Sequence, residues 1–161
     1  MEFHERLQKA ISRGHRASDA RARAKAEKEI TEKELQRLHS QYRLELLERI
    51  ERCLEQLADR FPGFRFETIV GDRGWGAAIS RDDIKLKRGS RRTNFFSRLE
   101  MTVRPLSSYH VLDLAAKGAI RNKELFSRAH FQKLTEVDIT SFTEMIDNWT
   151  LEYAELYAAR S

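Results

Sequence analysis

The first third of the chain lacks the residues that interrupt a helix. No proline occurs before Pro62, and Gly14 is the only glycine in that stretch. From residue 35 onward, apolar side chains recur at steps of three and four, the spacing of one helix face. The members of this stripe are Leu35, Leu38, Tyr42, Leu46, Ile50, Cys53, Leu57 and Phe61. Residues 1–61 are therefore predicted to form a long charged helix that ends at Pro62-Gly63.

The first half of this helix is much more polar than the second. In residues 1–34 the large apolar side chains are sparse, and the main ones are Leu7, Ile11 and Ile30. A helix of about 55 residues is about 80 Å long, whereas a domain of this size is about 30 Å across. Such a helix must project, pair with another chain, or fold back near Gly14. We expect a homo-oligomer through the N-terminal helix, as a coiled coil or helical pair, or a protein partner there.

Residues 62–161 are predicted to form a small α+β domain. Within it, residues 64–134 show a period of two, in which Leu99, Met101 and Val103 alternate with polar or charged residues. This alternation is typical of strands with one buried face. Turn residues occur at 71–74, 88–90, 105–108 and 117–118. The expected structure is an antiparallel β-meander of four or five strands.

The sequence also gives predictions for one turn and for one acidic pair of the meander. A hairpin at Lys117-Gly118 with a three-residue loop would bring Asp113 opposite Lys123. The adjacent carboxylates of Asp82-Asp83 would face opposite sides of a strand, so they do not form an acid–base pair. We expect them to form a charged bend.

The helical period returns after the meander. In residues 139–160, aromatic and aliphatic side chains form one stripe, which predicts an amphipathic C-terminal helix packed on the sheet. The stripe consists of Phe142, Met145, Ile146, Trp149, Tyr153, Leu156 and Tyr157. The predicted fold class is thus α+β: a long N-terminal helix, an antiparallel meander of four or five strands, and a C-terminal helix.

No catalytic or metal-binding pattern is evident. The five histidines lack the spacings that bring metal ligands together, and the single Cys53 has no partner for a disulfide. The stretch GDRGWG at 71–76 lacks the Lys and the following helix of a phosphate-binding loop. We predict no catalytic residues, no metal and no cofactor.

The positive charge is concentrated in the middle of the chain. Residues 61–134 contain 15 Lys/Arg and 7 Asp/Glu. The densest cluster is the basic patch, which consists of Lys85, Lys87, Arg88, Arg91, Arg92 and Arg98. It can be the solvated tip of a hairpin, a site for an acidic protein, or a nucleic-acid site in which a base stacks on Phe95 or Phe96.

The leading interpretation is a non-enzymatic interaction or scaffold protein whose long helix mediates self-association or partner docking. The alternative is a nucleic-acid-binding protein that uses the basic meander around residues 85–98. A further alternative is a small-ligand binder or enzyme in the concavity between the sheet and the C-terminal helix; filling of that concavity by Trp149, Tyr153 and Tyr157 would remove its site. The charged N-terminus is unlike a secretory signal, and no apolar run reaches the ~18 residues of a membrane span. We expect a cytoplasmic protein that does not contact membranes.

Overall fold

The computed structural model describes residues 2–86 and 92–160. They form, in order, α1 (Phe3–Arg60), β1 (Arg65–Gly71), β2 (Gly74–Leu86), β3 (Arg92–Val103), β4 (Val111–Ile120), β5 (Lys123–Lys133), a single 3-10 turn (Leu134–Glu136) and α2 (Ile139–Arg160). The five strands form one antiparallel sheet in the order β1-β2-β3-β4-β5. The predicted α+β fold, with its meander between a long N-terminal helix and a C-terminal helix, is confirmed.

The chain divides into two compact units, Met1–Arg37 and Leu38–Ser161. The first unit consists of the N-terminal part of α1. The second unit contains the rest of α1, the whole sheet and α2.

One face of the sheet forms the core of the second unit. Leu99, Met101 and Val103 of β3 are fully buried, and their cross-strand neighbours on β4 continue the same apolar surface. The helices supply the opposing layer of the core, with Leu46, Ile50, Leu54 and Leu57 of α1 and with Phe142, Ile146, Trp149, Tyr153 and Tyr157 of α2. The apolar stripe predicted for the C-terminal helix is therefore a core stripe, as expected for a sheet with one covered face.

Two contacts show which strands each helix covers. The guanidinium carbon of Arg43 in α1 lies 4.1 Å from the ring centroid of Trp75 in β2. The ring of His130 in β5 lies 4.5 Å from that of Phe142 in α2. The second half of α1 thus lies over the β2 side of the sheet, and α2 lies over the β5 side.

The hairpin between β4 and β5 differs from the prediction. Its turn is formed by Arg121 and Asn122, which have φ angles of 48° and 67°, the left-handed values that a tight two-residue hairpin requires. Lys117-Gly118 instead lies within β4, and Asp113 pairs with Phe131 rather than with Lys123.

Gly118 serves packing rather than chain reversal. It pairs with Phe126 on β5, and a Cβ atom at this glycine would lie 2.9 Å from the phenylalanine ring. The pairing register then shifts, since Ala119 pairs with Glu124 and Leu125 is left over as a bulge residue. Glycine is required because the ring of Phe126 packs directly on the backbone of β4.

Asp82 and Asp83 also differ from the prediction, because they lie within β2 and not in a bend. Asp83 accepts a hydrogen bond from Nε of Arg81 at 2.8 Å. This ion pair between residues on the same strand face balances the charge of the Asp83 carboxylate.

Candidate interaction surfaces

The N-terminal part of α1 exposes apolar side chains along one face. Phe3, Leu7 and Ile11 are 77%, 46% and 45% exposed. They are four residues apart, and residues at this spacing lie on the same side of a helix. Leu7 and Ile11 were expected from the sequence to be among the main apolar residues of this stretch. Phe3 was missed, although its spacing from Leu7 was the signal that it extends the same face.

The described residues of the first unit form no core. Among the described side chains of residues 2–37, none is buried. Two local, exposed contacts lie in this helix: Thr31 Oγ1 donates to the Glu27 carbonyl at 2.9 Å, and Arg37 forms an ion pair with Glu34 at 2.9 Å. An exposed ion pair such as that of Arg37 with Glu34 stabilises a helix by only about 0.3–0.5 kcal/mol. The helix face of Phe3, Leu7 and Ile11, called here the N-terminal face, is therefore available to a partner.

The sheet face opposite the core carries grooves lined by polar and charged side chains. One groove, of about 440 Å³, includes Ile69, Thr102 and Arg104. A neighbouring groove, of about 330 Å³, includes Phe96. Both are also lined by Arg98, Glu100 and Lys117.

Arg98 is the only member of the basic patch whose side chain is described. Its guanidinium donates to Glu67 at 2.6 Å and to Glu100 at 3.4 Å. The positive charge of Arg98 is therefore balanced within the sheet. Lys87, Arg88 and Arg91 lie outside the described residues. Lys85 and Arg92 are placed by their backbone alone, at the ends of β2 and β3 where the two strands pair.

Phe96 lies two residues before Arg98 on β3 and is 37% exposed. Asn122 fixes its backbone, because the Phe96 amide donates to the Asn122 side chain at 2.8 Å and its carbonyl accepts from the Asn122 amide at 2.8 Å. This arrangement presents one aromatic ring on the same sheet face as Arg98.

The two helices of the second unit are joined by an ion pair. The Arg49 guanidinium donates to both carboxylate oxygens of Asp147, at 2.8 and 2.5 Å, and Cys53 Sγ lies 3.4 Å from the same carboxylate. The hydrogen bond from Arg49 lowers the pKa of Asp147. Burial raises the pKa of the Cys53 thiol. Cys53 is half-buried, and a thiol of raised pKa carries less of the reactive thiolate form at neutral pH.

The interface between the sheet and α2 is filled with side chains. Trp149, Tyr153 and Tyr157 are at least 95% buried there. The Tyr153 hydroxyl donates to the carbonyl of Ala119 at 2.9 Å. Burial raises the pKa of this hydroxyl. These are the residues whose packing was expected to remove a ligand site in the sheet–helix concavity.

The histidines do not assemble into a site in the described part of the chain. His39 is buried and its Nε2 lies 3.2 Å from the Arg104 carbonyl oxygen, while His130 Nε2 lies 3.2 Å from Ser141 Oγ. Burial lowers the pKa of His39. Within residues 2–86 and 92–160, no group of His, Cys, Asp and Glu is arranged to hold a metal ion.

No helix among the described residues is both long enough and apolar enough to cross a membrane. Comparisons with models of known families, with curated proteins and with solved structures gave no match to this chain.

Proposed function

We propose that this chain is a non-enzymatic interaction protein that self-associates through the N-terminal part of α1. The observation that supports this proposal is the N-terminal face, a stripe of exposed Phe3, Leu7 and Ile11 on a helical unit without a core. Helices in proteins gain most of their stability by packing an apolar face against another element. A second helix packed on the N-terminal face would bury these exposed apolar side chains.

The free energy available is sufficient for a moderate interaction. Full burial of one Phe, Leu or Ile side chain contributes about 1.5–3 kcal/mol. A pair of copies covers up to six such side chains, and part of this gain offsets the entropy lost on association. The expected result is a reversible complex whose population depends on protein concentration.

Hydrogen exchange at two protein concentrations tests this proposal. Amides of residues 3–37 should exchange faster in dilute solution, because the dissociated helix frays, whereas those of the core helix and strands should not change. The Leu7→Glu/Ile11→Glu variant should show the fast pattern at both concentrations. Leu44→Glu is the matched control, since Leu44 is 63% exposed on the same helix but lies outside the first unit. Exchange in residues 3–37 that is independent of concentration would refute self-association.

The second candidate function is nucleic-acid binding by the β2–β3 hairpin and the adjoining sheet face. It is supported by the excess of 15 Lys/Arg over 7 Asp/Glu in residues 61–134 and by the exposed ring of Phe96 on the same sheet face as Arg98. An aromatic ring next to cations can stack a base while the cations contact phosphates. Fluorescence anisotropy with labelled oligonucleotides across a salt series tests it: binding should weaken steeply with salt and should weaken in Phe96→Ala. Absence of binding at low salt would eliminate this candidate.

A further inference from the structure

We propose that the first unit pairs with the same helix of a second chain in an antiparallel orientation; this inference rests on the proposed self-association. The positions of residues 3–35 of α1 can be labelled a to g in sevens, as in a coiled coil, with Phe3 at a d position. One set of seam positions, d, holds Phe3, Ala10, Ala17, Ala24 and Thr31, and the other set, a, holds Leu7, Gly14, Arg21, Lys28 and Leu35. The a and d positions lie on one side of the helix, and two paired helices meet along the seam that these positions form.

The two cationic side chains of this seam face small ones when the chains run in opposite directions. Antiparallel pairing places each a position opposite a d position of the second chain. In the register where Phe3 faces Leu35 of the second copy, Lys28 faces Ala10 and Arg21 faces Ala17. Lys28 and Arg21 each lie over an alanine, so the aliphatic part of each side chain can cover the seam while its charge remains in water.

The charges beside the seam select this orientation. The flanking g positions read Arg6, Arg13, Ala20, Glu27 and Glu34 from one end to the other. In the antiparallel register, g positions face g positions, so Arg6 faces Glu34 and Arg13 faces Glu27. The twofold symmetry of the pair repeats both contacts. Four interhelical ion pairs form, and no like charges face each other at these positions.

Parallel pairing lacks this complementarity. In a parallel pair, each g position faces the e position five residues later on the other chain. Arg6 then faces Ile11 and Arg13 faces Ser18, so neither cation gains a partner. Glu27 faces Glu32, which is repulsive. The same side chains therefore favour one orientation and disfavour the other.

The side chains needed for the antiparallel pair are accessible in the structure. Arg6, Arg13 and Glu27 are exposed, and Glu34 is also exposed, although it forms an ion pair with Arg37 on its own helix. An exposed ion pair of this kind is weak. Glu34 can therefore exchange it for a contact with Arg6 of the second copy.

A charge-reversal experiment on the full chain tests the orientation. The acidic variant is Arg6→Glu/Arg13→Glu, and the basic variant is Glu27→Arg/Glu34→Arg. In the antiparallel pair, each variant alone has like charges at all four contacts, so its self-association should weaken at least about tenfold. An equimolar mixture of the two variants has opposite charges at all four contacts and should recover association close to that of the unmodified chain. Sedimentation equilibrium measures each sample.

A matched control and a second measurement complete the test. Arg16→Glu/Arg23→Glu makes the same change in net charge on the same helix but away from the seam, and it should change association less than about twofold. In a Cys53→Ser background, Leu7→Cys should form a mixed disulfide with Thr31→Cys in preference to either homodimeric disulfide, because these positions face each other in the proposed register.

The outcomes separate the two proposals. If the unmodified chain does not associate, the proposed function fails and the orientation fails with it. If the unmodified chain associates but the basic variant alone associates as well as or better than it, the orientation is wrong and self-association stands. The parallel arrangement gives that second result, because the Glu27→Arg substitution would place a cation opposite Glu32. Homodimeric Leu7→Cys disulfides in excess of mixed ones would also overturn the antiparallel register.

Discussion

Replacing Tyr153 by Phe removes one buried hydrogen bond and leaves the ring in place. The side chain is fully buried, and its hydroxyl donates to the Ala119 carbonyl at 2.9 Å. This carbonyl lies where the register of the β4–β5 pairing shifts. Loss of the hydrogen bond removes about 0.5–1.5 kcal/mol, and a carbonyl left unsatisfied adds to that loss. We expect Tyr153→Phe to lower the free energy of unfolding by about 1–2 kcal/mol and the Tm by about 3–6 °C.

Tyr157→Phe is the matched control for this substitution. The two rings stack on α2 with centroids 6.1 Å apart, and Tyr157 is also buried. The structure shows no hydrogen bond from the Tyr157 hydroxyl to any of the described residues. We therefore expect its loss to change the free energy of unfolding by less than about 0.5 kcal/mol. Urea unfolding at neutral pH measures both variants, and equal losses would refute the role of the Tyr153 hydrogen bond.

The same substitution has a defined pH dependence. Because burial raises the pKa of Tyr153, its hydroxyl ionises in the unfolded state at about pH 10 but remains protonated in the folded state. The unfolded state therefore binds fewer protons above that pH, and this contribution to stability falls as the pH rises. The difference in free energy of unfolding between the unmodified chain and Tyr153→Phe should shrink above about pH 10. A difference that grows with pH would contradict the assigned direction of the pKa shift.

Three further substitutions test the packing of the second unit by urea unfolding. Asp147→Asn should lower stability by about 1 kcal/mol at pH 7 and by little at about pH 3. The hydrogen bond from Arg49 lowers the pKa of this carboxyl. The stability that the ionised carboxylate contributes is therefore present above its ordinary pKa of about 4 and is lost as the pH falls further. An equal loss of stability in Asp147→Asn at both pH values would contradict this account. Gly76→Ala should lower stability by about 2–3 kcal/mol, because a Cβ atom would lie 1.9 Å from a carbonyl oxygen of β3. Gly71→Ala is the control, since a Cβ atom there has no atom within 4 Å. Equal losses of stability in the two variants would refute the close approach of the backbones at Gly76. His39→Gln should reduce the loss of stability on acidification below about pH 6.5, since burial lowers the pKa of His39 and the unfolded state takes up its proton first; an unchanged pH profile would count against this assignment.

The elements of this fold follow closely from sequence periodicity. The steps of three and four that predicted a helix over residues 139–160 correspond to α2 at Ile139–Arg160. The change to a period of two after Pro62 correctly located the meander, because alternating residues face the core and solvent. The length of α1 could be predicted from the sequence because no proline or paired glycine interrupts this helix before its end at Arg60.

Contacts between strands were less accessible to sequence reasoning. The dipeptide Lys117-Gly118 resembles a turn in sequence. Only the pairing of β4 with β5 shows that Gly118 accommodates the ring of Phe126. The pairing of Arg98 with Glu67 joins residues 31 positions apart, so no local pattern indicates that this cation of the basic patch is neutralised. By contrast, the order of charges from Arg6 to Glu34 is present in the sequence itself. This order of charges becomes evident only when the helix positions are labelled in groups of seven. The spacing of three and four that identifies core residues does not reveal it.

Sedimentation equilibrium of the unmodified full chain tests the central claim most directly. Self-association through the N-terminal face predicts a mass that rises with concentration from 18.9 kDa toward twice that value, with a transition displaced to higher concentration in Leu7→Glu/Ile11→Glu. A mass that stays at that of one chain across the whole concentration range would contradict the claim.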